Sequence, residues 1–164
     1  MADRPQEVRR VLVLGNFRDP MARFRQRREK RAHRPGNSAV HRALIRRLPC
    51  CMVGCDTGAI VDPHHLKTGP AWPERAFGRR ASDQHCVPLC RIHHEDLESW
   101  PSLCEPDWFW EEGAINCHPL ARGLWTRSPS FDDMLDFLRW RMLEAAKTKW
   151  LREETAREMA RRGA

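Results

Sequence analysis

A chain that gathers most of its cysteines and histidines into one stretch has few ways to fold. Those side chains must either be buried as small apolar groups or converge on a metal ion. Here the stretch runs from Cys50 to Glu98, as CCMVGC, DPHHL and SDQHCVPLCRIHHEDLE, and it holds five of the seven cysteines and five of the eight histidines. The rest of the chain divides around it: a basic N-terminal arm over 1–48, a body over 49–125 and a helical C-terminal segment over 126–164. A length of 164 residues gives one core rather than two.

A formal net charge of +7 suits a polyanionic partner, nucleic acid first and an anionic membrane surface as its rival. No apolar run approaches the roughly 20 residues that span a bilayer, so no membrane segment is expected. VLVLG at Val11–Gly15 is too short, and the Arg-rich start lacks the pattern of a signal peptide. The expectation is a cytoplasmic protein, a reducing setting in which clustered cysteines hold metal more often than they form disulfides.

Cys51-Met-Val-Gly-Cys55 is a C-x3-C pair and Cys90-Arg-Ile-His93 a C-x2-H pair, both within the ligand spacing of structural zinc. Together they supply the four ligands of a tetrahedral ion. Cys50 can replace Cys51, because both precede Met52 and spacing alone does not say which one faces inward. Cys86, Cys104 and Cys117 have no partner at such a spacing and are expected in the interior as free thiols.

Asp62-Pro63-His64-His65-Leu66 follows the β-prone Ala59-Ile60-Val61, so the first histidine doublet ends a strand or opens the next loop, and in extended backbone neighbouring side chains point to opposite sides. One histidine can bind a metal while the other approaches a phosphate, which is what in-line displacement asks of its groups. The second doublet, His93-His94, opens a helix expected over His93–Trp100, where adjacent residues diverge by about 100°. His93 can then face the zinc while His94, with Glu98 four residues on, meets the ion held by His64. Asp62 and Glu95 read as exposed carboxylates or as supports for the ligating histidines.

Around this centre, MARFRQRREKRAHRPG is a basic run with helical character between Met21 and Arg31, and Val11–Leu14 is a candidate short strand. Ala39–Leu48 places Val40, Leu44 and Leu48 on one helical face. DWFWEEGAINCHPLARGLW reads as two short helices whose Trp108, Phe109, Trp110, Leu120, Leu124 and Trp125 pack the core. From Ser130 to about Arg161 the chain is helical. Ser130 and Asp133 form a capping box, Phe131, Met134, Leu135, Leu138, Met142 and Ala145 form the apolar stripe, and the last turns are left to solvent, a second copy or a protein partner.

Several of these segments resemble the HNH endonuclease superfamily. PHHL matches its first motif, HCVPLC resembles its Asn-Leu-x-x-Leu-Cys element and CRIHH its closing Cys-x-x-Cys-His. With DWFWEEGAI added, the likeness is to phage-borne proteins of the recombination-enhancing-nuclease type and covers about 49–125. The resemblance implies a small zinc-stapled ββα-metal core, and with the helices read above the expected fold is α+β, mostly helical, with added helices and a long C-terminal helix. It implies a DNA endonuclease, in the host cytoplasm if phage-encoded, acting on double-stranded or single-stranded DNA. His64 and His94 become metal ligands, His65 the general base, and His85 takes the place of the family's loop-holding Asn. Glu98 stands where related proteins often have a ligating histidine, and its oxygen favours Mg²⁺ or Mn²⁺ beside the structural Zn²⁺. The competing expectation is a zinc-stapled nucleic-acid-binding module without catalysis, and a third is a protein-interaction adaptor.

Overall fold

Strand β1, Val61–His65, pairs antiparallel with β2, Cys86–Cys90, and together they make a two-stranded sheet. Pro63 lies opposite Pro88, so each strand lacks one ladder donor at the same level. Such a pair persists only if other elements bury it, and every residue of β2 is buried. In the computed structural model, which describes residues 21–32, 34–75 and 79–162, the chain is otherwise mostly helical. The expected strand at Val11–Leu14 lies outside the described residues.

The basic run forms α1, Ala22–Ala32. Helix α2, Ala39–Ile45, is capped by Ser38, whose Oγ accepts from the His41 N–H. It packs on both strands, as does α3, Arg91–Ser99, which leaves β2 without a loop. The face that α2 buries carries His41, Leu44 and Ile45, followed by Leu48, while Val40 is 56% exposed. The expected Val40/Leu44/Leu48 face is therefore corrected by a rotation toward His41, and residues 39–48 belong to the packed body rather than to an arm.

Helices α4 (Glu105–Gly113) and α5 (Cys117–Arg127) are the expected short pair. Helix α5 packs on β2 and carries α6, Phe131–Arg162, on its other side. Trp108, Phe109, Leu120, Leu124, Met134 and Leu138 are fully buried, each contributing roughly 1.5–3 kcal/mol. Trp110 departs from the expected packing, being 44% exposed beneath the Arg152 guanidinium. The α4 helix ends with Ala114 in the left-handed region (φ 52°). Gly113 instead permits close packing, since a Cβ there would lie 2.9 Å from the Met52 methyl carbon.

At the start of α6, Ser130 Oγ accepts from the Asp133 N–H, which is half of the expected capping box. Beyond Ala145 no described residue of α6 is buried, although Lys149 and Arg152 still bond to α4, and the turns after Arg152 amount to about 15 Å of helix. No described helix is long and apolar enough to cross a membrane. All seven cysteines are free thiols; Cys86 and Cys117 are buried as expected, while Cys104 is only half-buried.

Candidate metal centre

Cys50, Cys55, Cys90 and His93 bring one donor atom each to within 4.8 Å of one another, a Cys3His group that fits a metal ion such as zinc. Cys90 Sγ lies 3.1 Å from His93 Nδ1 and 3.8 Å from Cys55 Sγ, and Cys50 Sγ lies 3.5 Å from the same ring nitrogen. The turn that returns Cys55 closes with its N–H donating to Met52 O and needs Gly54 at φ 77°. Burial opposes the Cys90 thiolate, yet hydrogen bonds from the His93 backbone, Thr57, the His93 ring and Cys55 bring its pKa down to about 6. Cys50 is held up at about 12, chiefly by burial, so an ion entering there must displace its proton.

Cys51 does not join this group. Its backbone N–H donates to Pro88 O of β2, which fixes it against the strand with its side chain in the core. Cys51 is wholly buried in the core, against the cavity lined by Ile115, Leu120 and Leu138. Of the two adjacent cysteines the structure places Cys50 with the donors, which corrects the preference for Cys51.

His64, His94 and Glu98 form a second group with donor atoms within 4.8 Å. The rings of His64 and His94 meet edge-on at 4.8 Å between centroids. One turn of α3 thus sends His93 to the cysteines and His94 to His64. Burial, then the proximity of His64, lowers the pKa of His94 and favours its neutral, ligating form. Glu98 Oε1 lies 2.7 Å from Lys67 Nζ, and that hydrogen bond first, despite some burial, holds its carboxyl low.

Each histidine of the strand-end doublet is backed by a buried carboxylate. His64 Nε2 lies 2.8 Å from Glu105 Oε1 and His65 Nε2 lies 2.9 Å from Asp83 Oδ1, the two acids being 1% and 0% exposed. With Nε2 engaged, each ring offers Nδ1 for further chemistry. Glu105 also accepts from the Lys67 N–H at 2.6 Å and from Thr68 Oγ1 at 3.0 Å; these bonds and the one from His64 outweigh the upward push of burial and keep its carboxyl below the ordinary range. Asp83 accepts from the Ser38 N–H and is paired with Arg42. Burial is the main cause of a lowered His65 pKa, with Asp83 acting in the opposite sense.

Of the two readings of Asp62 and Glu95, exposed carboxylates or supports, the structure has the first, since both lie toward solvent beside Arg91. Glu105 and Asp83 were missed. Glu105 carries a weak signal, an acid followed by Pro106 in the first turn of a helix, where the N-terminal dipole favours negative charge. His85 Nε2 lies 3.1 Å from Glu74 Oε1, so this side chain fastens the 3-10 turn Gly69–Glu74 and touches neither group of donors. His65, Asp83 and Cys86 also bring donors within 4.8 Å, but the Arg42 and Arg80 guanidiniums already neutralise Asp83 and repel a cation. No family model matches the chain, and neither the curated proteins nor the solved structures yield a match.

Proposed function

We propose that the protein is a metal-dependent endonuclease of the HNH, ββα-metal type that hydrolyses phosphodiester bonds in DNA. One observation carries the reading. Two adjacent histidines leave the end of β1 with a separate buried carboxylate behind each, and the first meets His94 and Glu98 of the helix that follows β2. The order β1, β2, α3 around these residues is the order that motif requires.

In this reading the Cys3His group holds structural Zn²⁺, and His64, His94 and Glu98 hold Mg²⁺ or Mn²⁺. A divalent ion bound there supplies neutralisation of charge on the phosphate and on the departing 3′ oxygen. Asp83 fixes the His65 tautomer with the proton on Nε2, so Nδ1 takes a proton from the attacking water. The water oxygen bonds to phosphorus as the bond to the 3′ oxygen breaks. A neutral His65 at physiological pH, favoured by its lowered pKa, is the form a base requires. The net charge of +7 supports backbone-phosphate binding without sequence readout.

The test is nicking of supercoiled plasmid by the zinc-loaded protein with Mg²⁺ or Mn²⁺. His65→Ala is expected to cut about 10²–10⁴-fold more slowly with DNA binding retained. Undiminished cutting refutes the assigned base. Salt-sensitive DNA binding with no cleavage under any divalent ion instead supports the zinc-stapled binding module.

A further inference from the structure

The Glu98 carboxylate already has a cation beside it. Lys67 Nζ stands 2.7 Å from Glu98 Oε1, while Glu98 also offers an oxygen within 4.8 Å of the donor nitrogens of His64 and His94. The Lys67 main chain is clamped on both sides. Its N–H donates to Glu105 Oε2 at 2.6 Å and its carbonyl accepts from Arg75 Nη1 at 3.1 Å. Only the side chain is left to move, at the edge of the site: the Lys67 side chain is 19% exposed and that of Glu98 49%.

We propose that Lys67 is an exchangeable counter-ion of this site: its ammonium holds Glu98 in the ion-free protein, and an entering divalent cation displaces it onto the non-bridging oxygens of the bound phosphodiester. The inference rests on the reading of His64, His94 and Glu98 as an ion site. An ammonium at hydrogen-bond distance from a carboxylate is held more weakly there when the same group ligates a divalent ion, because the two cations repel and draw on the same negative charge.

The exchange has an electrostatic consequence. In the ion-free site the ammonium and the carboxylate largely cancel, so the pair itself adds little attraction for phosphate. With an ion against Glu98 and the ammonium released beside it, the site gains a surplus of positive charge, which suits the extra negative charge of a phosphoryl transition state. Phosphate affinity at the site is thereby raised by the ion.

The experiment titrates Mn²⁺ into zinc-loaded, full-length protein by calorimetry. The variants are Lys67→Met, Lys67→Arg, Glu98→Gln, His94→Ala and the Lys67→Met/Glu98→Gln pair. Lys67→Met is expected to bind Mn²⁺ roughly two- to fivefold more tightly, the worth of a half-exposed ion pair expressed as a binding ratio. Lys67→Arg keeps the wild-type value, and Lys67→Met has no effect once Glu98 is Gln. A purely structural lysine would give weaker binding on removal, the opposite sign. Mn²⁺ binding that His94→Ala abolishes but Lys67→Met leaves unchanged or weakens overturns the proposal alone. Binding that His94→Ala leaves intact, or no binding at all, overturns the ion site and the proposal with it.

Discussion

Replacing Glu105 with Gln changes the chain by one atom type in a site with no room to adapt. The carboxylate is 1% exposed and accepts three hydrogen bonds, from His64 Nε2 at 2.8 Å, the Lys67 N–H at 2.6 Å and Thr68 Oγ1 at 3.0 Å. An amide keeps one oxygen. Its NH2 group must face either the Lys67 N–H, a donor that cannot turn away, or the His64 ring. A buried donor left without an acceptor costs about 1–3 kcal/mol, and losing the negative charge from the first turn of α4 costs about 0.3–1 kcal/mol more. The sum is about 1–4 kcal/mol. For a domain of 164 residues that lowers Tm by roughly 2–16 °C. If the NH2 turns to His64, the ring must present the other tautomer, and ion affinity is expected to fall by about 10–100-fold. Differential scanning calorimetry and Mn²⁺ titration of Glu105→Gln measure the two effects. A variant within about 0.5 kcal/mol of wild type that keeps its ion affinity refutes the argument that Glu105 orients His64.

The other perturbations separate neighbouring residues. Cys50→Ala is expected to lose bound zinc, measured by metal analysis of the purified protein, whereas Cys51→Ala keeps it and loses about 1–2 kcal/mol of stability through the cavity it leaves. Asp83→Asn, which leaves His65 without its charged partner, is expected to slow plasmid nicking by about 10²-fold or more with DNA affinity retained, measured by gel-based kinetics. Glu74 is pushed up by burial but held down to about 2 by hydrogen bonds from Ser82, His85 and Gln84. Its contribution is therefore present above the ordinary carboxylate value and lost as pH falls through about 2. Glu74→Gln should be less stable than wild type in urea unfolding at pH 7, with the gap closing as the pH is lowered through 4 toward 2.

What could be read from the sequence was whatever depended on local geometry. The 100° step between adjacent helical residues separates His93 from His94, and the three-to-four-residue spacing brings Glu98 under His94; the structure has both. What could not be read depended on partners far along the chain. Cys50 is selected over Cys51 by the bond from Cys51 N to Pro88 O, a pairing no local spacing discloses. Glu105 and Asp83 lie 41 and 18 residues from the histidines they support. Two errors of periodicity have plain causes. Three consecutive aromatic residues at Trp108, Phe109 and Trp110 fan over about 200° of a helix, so one of them had to leave the core. In α2 the buried face includes His41, a polar residue with neither ring nitrogen partnered, and a hydrophobic pattern assigns such a residue to solvent.

The two groups of donors are mechanically one unit, because α3 supplies both. Cys90 ends β2, and the helix begins at the next residue, with Arg91 N donating to Ile60 O on the entry to β1. There is no loop in which α3 could rotate without moving the strand that carries the cysteine. The same strand pairs His64 with Val87 and His65 with Cys86, so the register of the sheet sets the distance from the strand-end doublet to the helix. Farther along α3, Trp108 donates to Asp96 at 2.9 Å and pins the helix against α4, whose first residue is Glu105. The direct junction with β2 thus fixes where the helix starts, a constraint that an ion among the cysteines and His93 would reinforce, and the Trp108 bond fixes its roll. Those constraints place His94 and Glu98 opposite His64, and in the proposed endonuclease reading this is the preorganisation that electrostatic stabilisation of a phosphoryl group requires.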